Sequence, residues 1–143
     1  AFPATQNASG GANTLDDYEE GTWTPTLAFG GASVGITYSN QIGSYEKIGR
    51  AIALRCYLQL SSKGSSVGTA RLSGFPFTAG VSLIPWAVRM TALTSIVGHL
   101  QAYTDSVAFV DFFEYTGTGA HTQLGDSNFT NTTDIMIGGV YRA

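Results

Sequence analysis

The chain has 143 residues, enough for one domain around one core; a domain of this size needs neither disulfide nor metal, and its single cysteine excludes an intrachain disulfide and a cysteine-based zinc cluster. The net charge is -3, and the seven Lys and Arg lie scattered from Lys47 to Arg142, which excludes the clustered basic footprint of a nucleic-acid binder. No run of about 18 apolar residues supplies a membrane-spanning helix, so no membrane insertion is expected.

Charged residues make up 12% of the composition, where about a quarter is usual. Two readings follow: a homo-oligomeric interface that covers much of the side surface, or a soluble β surface rich in Ser, Thr and Gly. The first stretch, AFPATQNASGGA, is small and polar with no hydrophobic period, and residues 1–13 read as a linker. It carries no signal-peptide pattern and no initiator methionine, as expected of a piece of a longer polypeptide.

A single domain is expected over 14–143. It opens on Thr14-Leu15-Asp16-Asp17-Tyr18-Glu19-Glu20-Gly21, where a Thr cap, early acids and a closing Gly predict one acidic helical turn. A calcium loop would alternate its oxygen ligands around a Gly bend, and this cluster does not. Thr22 to Phe29 alternates bulky and small side chains and predicts a strand, with Pro25 suited to an edge.

The clearest strand is Ala51 to Leu60. Ile52, Leu54, Cys56, Leu58 and Leu60 fall on one face, while Arg55, Tyr57 and Gln59 fall on the other. That places Cys56 in a core stripe as an inert thiol. Ser61 to Ser66 reads as a turn, and its Lys-Gly pair lacks the strand-loop-helix setting of a phosphate loop. Further strands are predicted at Gly68 to Ser73, Val81 to Met90, Thr94 to Tyr103, Ser106 to Tyr115 and Asp134 to Arg142. Many short strands with no long helix predict an antiparallel β-sandwich or jelly roll.

The run ANTLDDYEEGTWTPTLAFGGASVGITYSNQIGSYEKIG, Ala12 to Gly49, resembles a segment of bacteriophage tail-fibre and other virion appendage proteins. SSKGSSVGTARLSGFPF (Ser61 to Phe77) and FTNTTDIMIGGVYRA (Phe129 to Ala143) also look like that family. The resemblance implies a virion-located, homotrimeric module at a fibre tip or along its shaft, joined to other virion proteins through its N-terminal segment. The span from about Ala79 to Gly125 does not match the family pattern, and specificity is expected there.

Appendages of this kind often act on surface polysaccharide, so cleavage and binding both come into question. A glycosidase needs two carboxylates roughly 5–9 Å apart. Asp111 and Glu114 fall on opposite faces of a regular strand, and on one unbroken strand Asp105 and Asp111 would stand about 20 Å apart at 3.3 Å per residue. Asp126 is a further candidate, and a pair assembled across different strands or subunits stays open. His99 and His121 form no metal-ligand pattern, and His99 reads as a structural histidine in an apolar strand.

No cofactor, metal or catalytic group is therefore expected, and the chain reads as a binding protein for a bacterial surface glycan or other receptor. Binding needs only an aromatic face and a few fixed polar groups. Trp86, Tyr103, Asp105, Asp111, Phe112, Tyr115 and His121 are the candidate ligand-binding residues, with Trp23 assigned to the core. A structural trimerisation cap, decoration or head-fibre knob is the alternative, and a glycan-cleaving domain with carboxylates meeting across a subunit seam is a third reading.

Overall fold

The computed structural model describes residues 18–80, 83–106 and 109–143. The expected linker and Thr14 to Asp17 lie outside them. Among the described residues, ten antiparallel strands form one curled sheet whose two parts, called sheets A and B, face each other in the sandwich-like architecture expected from the sequence. Sheet A takes β1 (Tyr18–Trp23), β3 (Ile36–Ile48), β4 (Ala51–Lys63), β10 (Phe129–Arg142) and the later part of β6 (Ile84–Leu93), in that spatial order. Sheet B continues from the start of β6 through β7 (His99–Ser106), β8 (Phe109–Tyr115), β5 (Ala70–Ser73) and β2 (Thr26–Phe29), with β9 (His121–Gln123) also beside β8.

Two corners join the sheets. Ile84 to Trp86 of β6 pairs with β7, whereas Ala87 onward pairs with β10, so one strand serves both sheets. At the other corner, Thr24 and Pro25 carry the chain from β1 to β2. Pro25 has no N–H to continue a ladder, which suits the break.

Alternation decides what is inside. Ile52, Leu54, Cys56, Leu58 and Leu60 of β4 are buried, as their period predicts, beside Ile135, Ile137 and Tyr141 of β10. Leu27, Phe29, Leu72, Val110 and Phe112 face them from sheet B. Phe75 reaches into the core, where its ring packs against Trp23, Trp86 and Tyr141. Tyr141 Oη donates to the Phe77 carbonyl (2.9 Å) and ties this loop to β10.

Both tryptophans lie over glycines. A Cβ on Gly43 would come within 2.6 Å of Trp23 Nε1, and one on Gly139 within 2.8 Å of Trp86 Cε3. Glycine in these strand interiors makes room for an indole on the neighbouring strand.

The expected helical turn is corrected over Tyr18 to Gly21, which form strand β1. Ladder pairing with β3, from Tyr18 opposite Ile48 to Trp23 opposite Gly43, outweighs the local capping pattern. Glu19 is used across the strands as an acceptor for Tyr45 Oη (2.6 Å), not as a helix-end charge. β4 runs on to Lys63 before the chain turns at Gly64 (φ +70°), later than the expected turn at Ser61. β7 begins at His99, not Thr94, and the three-residue β9 has no counterpart in the sequence reading.

Candidate functional site

On the outer face of sheet B, register brings separate chain segments into one surface. Tyr103 stands opposite Asp111, and Asp111 opposite Arg71, giving one row across β7, β8 and β5. The next rows place Gln101, Phe113 and Gln123 together, then His99, Tyr115 and His121.

The aromatic side chains of these rows touch. Tyr103 stacks on Phe113, with ring centroids 4.5 Å apart and planes 6° from parallel. His121 meets Phe113 edge-on at 5.5 Å and stacks on Tyr115 at 5.0 Å. The result is a continuous strip of rings, each restrained by the next, on adjacent strands.

Beside the strip lies a fixed polar group. Asp111 is only 2% exposed. Its Oδ1 accepts from Arg71 Nε (2.8 Å) and from Gln123 Nε2 (2.6 Å). A buried carboxylate costs several kcal/mol of desolvation unless paired and hydrogen-bonded, and both conditions are met here. The Arg71 guanidinium also sits 5.2 Å from the Phe109 ring centroid, and its side chain is 41% exposed.

Of the sequence candidates, Tyr103, Asp111, Tyr115 and His121 therefore share one face. Trp86 and Phe112 do not, and both are corrected to core residues. Trp86 is 5% exposed and donates from Nε1 to the buried Thr104 Oγ1 (2.7 Å). Phe112 lies on the inward parity of β8 and packs edge-on against Phe129. Asp105 belongs to β7, and its side chain is outside what is described.

One condition weighed on the sequence is not met, and one expectation changes. Asp105 and Asp111 are not six residues apart on one strand, because the chain reverses between β7 and β8. Their separation is consequently not the 20 Å of an extended segment. His99 is exposed on the outer face, opposite Tyr115, and is not enclosed in an apolar strand. Glu114 does face away from Asp111, accepting hydrogen bonds from the backbone N–H groups of Val97 and Gly98.

Sequence reasoning missed Arg71, Phe113 and Gln123 at this site. Phe113 shared odd parity with Asp111 and Tyr115, a usable signal. Arg71 and Gln123 are isolated polar residues, brought to Asp111 only by long-range pairing.

The outer face of sheet A differs. Ile42, Tyr57, Met136 and Arg89 form a row across β3, β4, β10 and β6. They border a shallow hollow of about 550 Å³ whose floor continues over Arg55 and Gly138. Ile42 is 59% exposed. Cys56 lines the hollow from below, and burial pushes its thiol up to about 12. Among the described residues, no group of three His, Cys, Asp or Glu is placed to hold a metal ion.

The chain matches no protein-family model, and no curated protein matches its sequence.

Proposed function

We propose that this chain is a virion appendage module of the phage tail-fibre type that attaches to a bacterial surface glycan through the outer face of sheet B. The observation that carries the reading is the strip Tyr103, Phe113, His121 and Tyr115 beside the fixed Asp111, Arg71 and Gln123. Sugars present C–H faces that stack on aromatic rings and hydroxyls that need oriented polar partners, and this face has both on paired strands. Support for the virion setting comes from the tail-fibre-like runs at Ala12 to Gly49, Ser61 to Phe77 and Phe129 to Ala143.

The role is binding and not cleavage. Asp111 is engaged by two side-chain donors, Arg71 and Gln123, which suits a fixed structural acceptor better than a group that must hand a proton to a leaving oxygen. In a homotrimer, with the N-terminal segment joined to other virion proteins, repeated weak sites on one tip would gain avidity.

The test is binding of the purified chain to a panel of bacterial surface polysaccharides, with Tyr103→Ala and Tyr115→Ala alongside. Saturable binding weakened by either substitution is the expected result. Binding that neither substitution alters would remove this face from the reading, and no binding across the panel would remove the glycan.

A second reading is a structural cap or decoration that packs against copies of itself. It is favoured by exposed Ile42 and Met136, with half-buried Tyr57 between them on sheet A, where a hollow bordered by apolar side chains would suit a subunit contact.

A further inference from the structure

We infer that the sheet B face is selective for an anionic saccharide, with Arg71 holding the negative substituent of the sugar. The inference rests on the glycan reading above and adds the ligand's charge.

A guanidinium has two hydrogen-bonding edges, one formed by Nε with an Nη and the other by the two Nη atoms. In Arg71 the Nε edge is turned to Asp111 Oδ1. Among the described residues, Nε is the only Arg71 nitrogen with a hydrogen-bond partner, and the side chain is 41% exposed. The Nη edge is thus left for a planar two-oxygen acceptor, which a carboxylate supplies and a sugar hydroxyl does not.

Arg71 is also held in place. Asp111 binds it from one side, Gln123 satisfies the same Asp111 oxygen, and the Phe109 ring packs against the guanidinium. Ordering a long Arg side chain ordinarily weakens binding, and here folding has already ordered it. Asp111 does not repel an incoming anion as a free carboxylate would, because its charge is already paired.

The spacing suits one ligand spanning both parts of the face. Tyr103, Asp111 and Arg71 are successive members of one row. Two strand spacings separate Tyr103 from Arg71 across the sheet, about 10 Å. A sugar stacked at Tyr103 therefore puts its own substituent, or that of the adjoining sugar, within reach of Arg71.

The experiment measures affinity by calorimetry for acidic bacterial polysaccharide fragments, each paired with its carboxyl-reduced neutral form. A phosphate-substituted fragment forms a third arm. Wild type, Arg71→Lys and Tyr103→Ala are compared, with near-UV circular dichroism confirming that each is folded.

The acidic member of a pair should bind roughly ten- to a hundredfold more tightly than its reduced form. Arg71→Lys keeps the charge beside Asp111 but loses the fork, and should collapse that preference. Tyr103→Ala should weaken both members alike. A phosphate arm tighter than the carboxylate arm, and equally dependent on Arg71, would assign the anion as phosphate.

Neutral forms that bind as well as acidic ones overturn the inference while leaving the glycan reading intact, and so does a preference retained by a folded Arg71→Lys. Should that variant not fold, the wild-type pairs alone decide the matter. Absence of binding to every fragment overturns both readings.

Discussion

The two outer faces of the sandwich are built on the same strand geometry and are unlike in chemistry. Sheet B carries rings in mutual contact and a partly exposed ion pair among them, so its side chains are held before any ligand arrives. Sheet A carries exposed Ile42 and Met136 and more open charges, such as the Arg55–Glu46 pair at 3.7 Å, around a shallow hollow. Preorganised polar and aromatic groups favour recognition of a small ligand. A broad, mildly apolar sheet face favours contact with another protein surface.

The largest effect should come from the residue that sequence placed at the site and the structure places beneath it. Trp86→Ala removes a buried indole and leaves Thr104 without its donor, and should cost about 4 kcal/mol of stability in urea unfolding. The protein that remains folded should keep its glycan affinity. A strong loss of affinity without loss of stability would put Trp86 back at the binding face.

Next in size is Arg71→Ala. It strands the buried Asp111 carboxylate, with Gln123 its one remaining side-chain donor among the described residues. A loss of about 2 kcal/mol is expected, below the cost for a fully buried pair because Arg71 is partly exposed. Asp111→Asn on the Arg71→Ala background should recover part of that stability. Both measurements belong to sheet B and should leave any self-association unchanged.

Tyr103→Ala sharpens the comparison from the binding side. It should weaken glycan affinity about tenfold, equivalent to about 1.4 kcal/mol, with a smaller change in unfolding free energy. The sheet A counterpart is Ile42→Asp, read by sedimentation across a concentration series. If copies associate through that face, a charge there should shift them toward monomer without altering affinity for glycan.

The last comparison appears only at alkaline pH. Burial raises the Cys56 thiol and the Tyr141 phenol each to about 12. The folded chain then holds protons that the unfolded chain gives up, so stability is full below about pH 8.5 and falls as pH rises toward about 12. Cys56→Ala should flatten the earlier part of that decline in thermal melts taken from pH 8 to 11. A thiol reagent at pH 8 should label Cys56 only after unfolding.

Some elements could be read directly along the chain. The alternation in Ala51 to Leu60 identified β4 and its buried stripe because one face meets the core and the other does not. β8 was expected as a strand over Ser106 to Tyr115, but its buried face could not be read the same way. Val110, Asp111, Phe112 and Phe113 are all buried, inward residues by the core and outward ones by rings and Arg71, so burial there has no period of two. β6 hid its role because it changes sheets near Trp86.

By itself the sequence determined that this chain is β-rich and where its longest core stripe runs, and it offered aromatic and acidic residues of the middle region as candidates for the proposed binding face. Only the tertiary structure decided that Tyr103, Asp111, Tyr115 and His121 share that face, that Arg71 and Gln123 complete it, and that Trp86 and Phe112 belong to the core. The physical reason is range. Side-chain alternation is a property of neighbouring residues, whereas the row from Tyr103 through Asp111 to Arg71 exists only after three distant segments pair in one register.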